Sequence, residues 1–224
     1  MKKFLFILIL FAILGAVLVP KILRYTTRIQ KHTKAESFVK YNKTVLKEGD
    51  IIFQTSLSSQ SKAIQIATRS KYSHMGMITL RNNKYYVFEA VQPVKLTPLS
   101  DWIAKGKDLH FVIKRLRDRD KYLTDEILNK MKDEGKKFIG KRYDLYFNWS
   151  DDQIYCSELV WKLYKAVGIK VGKLQTLGDF DLSSPVVKKK LRERYGNNIP
   201  YNEPVISPAA IFNSDRLVTV LENY

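Results

Sequence analysis

An uninterrupted apolar run of sixteen residues, from Phe4 to Val19, is the feature that most constrains this chain. Two lysines precede the run and Pro20 closes it. In a helix that rises about 1.5 Å per residue the run would extend about 24 Å, a little less than the hydrocarbon core of a bilayer. No pair of small residues near its end has the spacing of a signal-peptidase site. We therefore expect residues 1–24 to form an uncleaved transmembrane signal-anchor, with a cleaved signal peptide as the alternative.

The charges that flank the apolar run give two interpretations of its orientation. Basic residues are more numerous after the run than before it, and a strict positive-inside count would keep the rest of the chain in the cytoplasm. A short Lys-Lys segment before an apolar stretch is nevertheless typical of a signal-anchor with an exported domain. We expect export, which would place the domain on the outer side of the cell membrane. Residues 25–44 are polar and basic and predict a stalk.

The chain of 224 residues is strongly basic, with a net charge of +17. Residues 1–34 hold seven of the basic residues and no acidic residue, which leaves a net charge of +10 for the rest. Such a charge favours an anionic neighbour. Since the apolar N-terminus favours a membrane face or an acidic envelope polymer, we do not expect nucleic acid as a partner. The hydrophobic content of 45% is sufficient for the core of one domain.

Hydrophobic patterns predict an α+β domain over residues 45–224, with a small antiparallel sheet or half-barrel packed against helices. Alternating stretches at 73–80 and 85–91 flank Arg81–Lys84, whose two asparagines accept positive φ and so predict a hairpin. Further strands are expected at 51–53, 109–116 and 217–221. Helices are expected at 58–70, from Thr124 to Gly140, from Cys156 to Gly168 and from Ser184-Pro185 to Arg194. A loop and a short turn would link the hairpin to the strand at 109–116.

Cys156 is the single cysteine, which excludes an intramolecular disulfide and a cysteine-based metal cluster. It stands at the expected start of a helix, where backbone N–H groups and the helix dipole favour a thiolate and so lower the pKa of the thiol. The N–H of Cys156 would also be placed to bind an oxyanion. Cys156 is therefore a candidate nucleophile. The alternative is a small core residue, because free cysteine is among the most buried residue types.

A candidate base and its partner lie on the predicted hairpin. If its loop is centred on the two asparagines, Gly76 faces Glu89, and Glu89 is then diagonal to His74 on the same face. Diagonal Cβ atoms lie about 7–8 Å apart, and the glycine leaves the space between the two side chains open. A carboxylate on one imidazole nitrogen would leave the other to take the Cys156 proton. The alternatives are a strand-end histidine and a sheet-edge charge, and a loop of odd length would put Glu89 on the other face.

Other polar residues are weaker candidates. Tyr143 and Ser157 are candidates for substrate contact, whereas Asp144 and the pair Asp151-Asp152 would line a pocket or cap a helix. The run Lys188–Arg194 is either a solvated helix face or a contact for anionic lipid or polymer. No group of histidines or carboxylates has the spacing of metal ligands, and no glycine-rich phosphate loop occurs. We expect neither a metal nor another cofactor.

Five short segments carry a resemblance: Gly49-Asp50-Ile51-Ile52, Ser73-His74-Met75-Gly76, Phe88-Glu89-Ala90, Tyr143-Asp144 and Tyr155-Cys156-Ser157-Glu158-Leu159-Val160. Over about residues 45–220 the chain resembles the YiiX/YebB-type permuted papain-like amidases, relatives of NlpC-type cell-wall peptidases and of lecithin:retinol acyltransferase-like enzymes. The histidine and glutamate precede the cysteine, which is the permuted order. The resemblance implies a permuted papain-like fold with Cys156 as nucleophile, His74 as general base and Glu89 as the polar third member, and Tyr143 in the pocket.

The sequence thus predicts a membrane-anchored cysteine amidase or peptidase of the bacterial envelope. Its substrate would be an amide in a cell-wall or other short peptide, cleaved through a thioester acyl-enzyme. One alternative is a lipid-directed acyltransferase or thioesterase that acts on an amide or ester with the same Cys156 and His74. A second alternative is a non-catalytic module that binds an anionic envelope polymer, in which replacement of Cys156 changes stability alone.

Overall fold

The computed structural model describes residues 2–223, and the side chains of residue 16 and of residues 18–223. The strands are β1 (Ile51–Gln54), β2 (His74–Arg81), β3 (Lys84–Glu89), β4 (Lys95–Pro98), β5 (Phe111–Leu116), β6 (Arg142–Tyr143), β7 (Gln153–Ile154), β8 (Gln175–Thr176), β9 (Pro204–Val205) and β10 (Leu217–Glu222). The α-helices are α1 (Lys2–Tyr41), α2 (Ser61–Thr68), α3 (Leu99–Lys105), α4 (Arg119–Tyr122), α5 (Asp125–Lys136), α6 (Cys156–Ala166), α7 (Pro185–Tyr195) and α8 (Pro208–Phe212). A six-stranded antiparallel sheet has the order β10-β5-β1-β2-β3-β4, and β6-β7 and β8-β9 form two short pairs.

Strands β2 and β3 form the hairpin that the sequence predicts. Its two-residue turn is Asn82-Asn83, with φ of 50° and 58°, left-handed values that asparagine accepts more readily than most residues. The register pairs Leu80 with Tyr85. Continued toward the start of β2, this register places Gly76 opposite Glu89, as the sequence analysis requires.

Both faces of the central sheet are covered by helices. Because successive side chains of a strand point to opposite faces, Phe53 of β1 and Met75 of β2 belong to a core shared with α5 and α6. Ile52 and Ile78, on the other face, pack with residues of α3 and of the end of α1. The α+β prediction is therefore confirmed, with helices on two sides of the sheet.

Helix α1 continues through residues 25–41, part of the segment for which the sequence predicts a stalk. Its C-terminal part packs on the domain. Ala35 is buried, and the ring of Phe38 meets the ring of Phe111 edge-on with centroids 4.7 Å apart. The end of this helix therefore packs into the core on the face of the sheet that carries Ile52 and Ile78.

Within residue 16 and residues 18–223, no helix is long and apolar enough to span a membrane. Most of the apolar run Phe4–Val19 lies outside the residues whose side chains the structure describes. The anchor over residues 1–24 therefore stays a prediction.

The segment between the hairpin and β5 is more regular than the sequence analysis expects. It forms strand β4, in which Lys95 pairs with Glu89, and helix α3 follows directly. A four-residue edge strand is too short to show a clear alternation of side chains, which explains the missed element. Helices α2 and α5 are also shorter than expected, and α5 ends at Lys136 rather than at Gly140.

A buried ion pair joins the start of β1 to β5. Asp50 is fully buried, and its two carboxylate oxygens each lie 2.7 Å from a guanidinium nitrogen of Arg115. The N–H of Lys47 donates to the same carboxylate at 2.9 Å. Burial raises the pKa of Asp50, and the hydrogen bonds from Arg115 and Lys47 oppose that increase. Loss of the carboxylate would leave the guanidinium without its charged partner, with the Val45 carbonyl as a remaining acceptor.

We expect Asp50→Ala to lower the free energy of unfolding by about 3–5 kcal/mol, because it removes one partner of a buried ion pair. Asp120→Ala is the matched control, since it removes an exposed carboxylate that pairs with Lys47 and should change stability little. Urea denaturation of the full chain, followed by circular dichroism, measures both. Equal midpoints for the two variants would contradict a structural role for the buried pair.

Candidate active site

Helix α6 begins at Cys156, and contacts with the segment around Ile206 fix this end of the helix. The Ile206 N–H donates to the Tyr155 hydroxyl at 3.0 Å, and the Ser157 hydroxyl donates to the Ile206 carbonyl at 2.8 Å. The Tyr155 N–H donates to the Glu158 carboxylate at 3.4 Å, which closes the first turn. The expected position of the cysteine at a helix N-terminus is confirmed.

His74, the first residue of β2, lies against Glu89 of β3. Its Nε2 is 2.7 Å from Glu89 Oε2. The Thr97 hydroxyl donates to Glu89 Oε1 at 2.6 Å, and the Trp102 indole N–H donates to Oε2 at 2.9 Å. The imidazole also stacks on Trp102, with ring centroids 5.8 Å apart. Gly76 keeps this space open, because a Cβ there would lie 3.4 Å from the Glu89 Cβ and closer still to other atoms of β3.

The imidazole of His74 also hydrogen-bonds with the Cys156 thiol. Burial raises the pKa of Cys156, but the hydrogen bond and charge of His74, with backbone N–H groups of Met75 and Ser157, outweigh burial and lower that pKa. Burial lowers the pKa of His74, whereas hydrogen bonds and charges of Cys156 and Glu89 raise it to about 10. The environment therefore favours a thiolate beside an imidazolium.

A chain of polar contacts leads from Cys156 to Arg194. The Tyr143 hydroxyl hydrogen-bonds with Cys156 and accepts from the Gln60 amide at 3.1 Å. The Gln60 carbonyl oxygen accepts from the Arg194 guanidinium, which lies over the Phe147 ring at 4.7 Å from its centroid. Because Arg194 has no acceptor atom, it orients the NH2 group of Gln60 toward Tyr143. Tyr143 then keeps its own hydrogen for the sulfur, and burial, the largest cause, raises the pKa of Tyr143 so that the hydroxyl stays protonated.

The remaining predicted residues have contacts within the protein. Ser157 lines the cleft beside Cys156, but its hydroxyl is bonded to Ile206. Asp144 is buried and accepts from the N–H of Tyr146. Asp151 pairs with Lys162 at 2.7 Å, and Asp152 is exposed. Asp144 therefore bonds within a turn, and Asp151 and Asp152 lie at the surface, whereas the sequence analysis expects a pocket wall or a helix cap.

Four contact residues were missed by the sequence analysis: Thr97, Trp102, Gln60 and Arg194. The first two lie in the segment expected as loop and turn. Arg194 was included in a basic helix face, although it follows Leu191 by three residues and so falls on the buried side of α7. That spacing could have identified Arg194 from the sequence, whereas no sequence pattern identifies Gln60.

Two clefts meet at the Cys156–His74 pair. The first has a volume of about 90 Å³ and includes Cys156 in its wall. The second includes His74. Gln60 and Tyr143 line both. If the bond to be cleaved lies at this pair, the group on one side of the bond would occupy the first cleft and the group on its other side would occupy the second.

We expect Cys156 to react with iodoacetamide well below pH 8.5, the usual pKa of a free cysteine. At pH values between the lowered pKa of Cys156 and the raised pKa of His74, the thiolate and the imidazolium are the favoured forms. In His74→Ala burial dominates, and the apparent pKa should rise to the usual value or above. The alkylation rate of the full chain across the pH range, measured by mass spectrometry, tests this, with His32→Ala on α1 as the matched control. An apparent pKa near 8.5 in wild type and His74→Ala alike would contradict the ion pair.

The domain is similar in sequence to known proteins. Residues 45–221 match the family described as permuted papain-like amidase enzyme, YaeF/YiiX, C92 family. The uncharacterized protein YiiX of Escherichia coli strain K12 is 54% identical over 177 residues, which cover 79% of this chain and 86% of that protein.

A solved structure is also similar. The crystal structure of metalloprotein yiiX from Escherichia coli O157:H7 has a TM-score of 0.75 at 53% identity, and the match covers 80% of this chain and 98% of that chain. Among residue 16 and residues 18–223 here, no three His, Cys, Asp or Glu side chains are grouped so as to hold a metal ion. From the family match and the high identity, this chain belongs to the permuted papain-like amidases of the YaeF/YiiX family.

Proposed function

We propose that this protein is a membrane-anchored cysteine hydrolase that cleaves an amide through a thioester acyl-enzyme. The observation that supports this most directly is the contact of the Cys156 thiol with His74, whose second ring nitrogen is held by Glu89. A nucleophile, a base and an orienting group in this arrangement are typical of acyl-transfer enzymes. A cysteine that served only to fill the core would need none of these partners.

In the first half-reaction the Cys156 sulfur attacks the amide carbonyl carbon, and the C=O electron pair moves to the oxygen. The Tyr143 hydroxyl and the Cys156 N–H stabilise this oxyanion. As the tetrahedral intermediate collapses, the C–N bond breaks and His74 gives its proton to the leaving nitrogen. The products are a free amine, a thioester on Cys156 and a neutral imidazole.

In the second half-reaction His74 takes a proton from water, and the water oxygen attacks the thioester carbon. The C–S bond breaks, the carboxylic acid leaves, and the thiolate forms again beside the imidazolium. Burial raises the pKa of Glu89, but the hydrogen bond and charge of His74, with the hydrogen bond from Thr97, lower it below the usual value and so favour the carboxylate beside the imidazolium. The carboxylate therefore keeps the imidazole oriented in both steps.

Two substrate classes fit this chemistry. One is a peptide or cell-wall amide, as the sequence analysis expects. The other is an acyl amide or ester of a lipid, with transfer of the acyl group to water or to an amine. The apolar side chains in the wall of the cleft beside Cys156 are the observation that favours the lipid-directed class.

Turnover of model anilides and aryl esters tests the proposal. Cys156→Ser should abolish it, and Tyr143→Phe should lower kcat by about 10²–10³-fold, because an oxyanion donor is lost. Tyr146→Phe is the matched control in the same segment and should keep wild-type kcat, since its side chain is exposed.

Two outcomes would contradict the hydrolase. The first is a folded wild-type chain without turnover that depends on Cys156. The second is a change of stability in Cys156→Ser with no change of turnover, which favours the non-catalytic polymer-binding module.

The proposed location rests on the N-terminal apolar run and on charge. A signal-anchor over residues 1–24 would hold a domain of net charge +10 near an anionic membrane face. The Lys-Lys segment before the run supports an exported domain.

We expect alkaline phosphatase fused after Tyr224 to be active in cells, because that enzyme folds only where disulfides form. The same fusion without residues 1–24 is the control and should be inactive. Inactivity of a well-expressed full-length fusion would overturn the exported topology.

A further inference from the structure

The second cleft at the Cys156–His74 pair has a volume of about 460 Å³, within the usual range for small-ligand sites. Two lysines line it, Lys95 at the start of β4 and Lys105 at the end of α3. Both side chains are exposed, and the ion pairs formed within residues 18–223 include neither of them. The cleft therefore holds two cations that have no carboxylate partner in the described part of the chain.

The carboxylate and amide oxygens of this cleft, in contrast, are engaged or enclosed. The two oxygens of Glu89 take part in the three hydrogen bonds described above. The Gln92 Oε1 accepts from the Tyr143 N–H at 2.8 Å, so the NH2 group is the end of the Gln92 amide that remains for a ligand. The Gln54 Oε1 is enclosed and lies against Gly106. A ligand in the cleft would therefore meet N–H donors, which favour a group that only accepts hydrogen bonds.

Both lysines lie on the side of the site from which the leaving group departs. Lys95 is the register partner of Glu89, so the two side chains are on the same face of the sheet. Burial has the largest effect on the pKa of Glu89, and the charge of Lys105 is among the influences that lower it. In the proposed reaction His74 gives its proton to the leaving nitrogen, and His74 lines this cleft. The leaving group would therefore lie beside the two cations.

The positive charge continues beyond this cleft. Lys105 also lines a groove between α1 and α3. Three cations of α1 face that groove, namely Arg24, Arg28 and Lys31. Asp101 is the carboxylate in the groove, and it hydrogen-bonds with His32. The potential along this route therefore favours an anionic over a neutral group on its way to the second cleft.

We propose that the second cleft is a leaving-group subsite that selects an anion, so that the cleaved bond joins the acyl carbon to an amine that carries a carboxylate or phosphate. Lys95 and Lys105 bind the anionic oxygens, and the NH2 group of Gln92 adds a hydrogen bond. This inference rests on the proposed function, in which His74 gives its proton to the leaving atom. It specifies the half of the substrate that departs first.

Methyl aryl disulfides test this subsite without any hydrolysis. The thiolate of Cys156 attacks the sulfur that carries the methyl group, a new S–S bond forms, and the old S–S bond breaks so that an aryl thiolate leaves with the electron pair. Three reagents carry a carboxylate, a phosphonate or a neutral carboxamide at the same ring position. At neutral pH, the second-order rate constant for each is divided by that for 2-mercaptoethanol, which corrects for the reactivity of the reagent itself.

We expect the corrected rate for an anionic reagent to exceed that for the carboxamide about four- to ten-fold, and the excess to decrease as salt is added. The larger of the two anionic ratios identifies a carboxylate, as in a peptide, or a phosphate, as in a lipid headgroup, as the preferred anion. All chains are measured at full length in nanodiscs of a zwitterionic lipid, so that the membrane adds no net charge.

Matched variants separate the cleft from the positive charge of the whole domain. Lys95→Gln and Lys105→Gln should each lower the ratio of anionic to carboxamide rates about two- to three-fold, and the double variant at least about four-fold. Lys107→Gln removes an exposed charge outside the cleft and should leave the ratio near the wild-type value. Any effect of Lys105 on the rate that acts through Glu89 applies to both reagents, and the ratio removes it.

The outcomes distinguish this inference from the hydrolase proposal. Equal corrected rates for anionic and neutral reagents overturn the anion subsite, whether or not amides are hydrolysed. A preference that the double variant retains, or that Lys107→Gln lowers equally, overturns it as well. The expected preference in a chain that hydrolyses no acyl substrate overturns the hydrolase and leaves an anion-binding cleft. A Cys156 that reacts with none of the disulfides overturns both.

Discussion

The hydrogen bond between His74 Nε2 and Glu89 Oε2 depends on the register of one hairpin, and the candidate active site depends on that bond. A slip of one residue would move Glu89 to the other face of the sheet. The Asn82-Asn83 turn sets the register, and Gly76 keeps the space between the two side chains open. Local turn chemistry thus positions an interaction at the far end of both strands.

Burial gives this hydrogen bond its chemical effect. Desolvation acts against every charge at the site, since it raises the pKa of Cys156 and of Glu89 and lowers that of His74. The three groups stay charged only because they are in contact and each stabilises its neighbour. Thr97 and Trp102 add two donors to the carboxylate, which would otherwise be buried with a single partner. The reactive thiolate is therefore a property of the whole cluster.

The sequence predicts the parts of the site that local patterns determine. The asparagine turn, the alternation of β2 and β3, and the start of α6 each follow from a few adjacent residues. The contacts of Thr97 and Trp102 with Glu89 were missed because they depend on β4 and α3, which are short and lack periodicity. The contact of Gln60 with Arg194 joins residues far apart in the chain, and a helical pattern alone does not specify which element a buried face meets.

Helix α7 shows how one amphipathic element serves two roles. Its run of basic residues fits the description of a solvated face only in part: Lys188, Lys189 and Arg192 are exposed, whereas Arg194 turns inward to Gln60. Val187 is buried on that same inner side and contributes to the wall of the apolar cleft. The exposed cations lie on the helix that forms this wall. If the domain is held at an anionic membrane face, attraction of those cations would bring the cleft close to that surface.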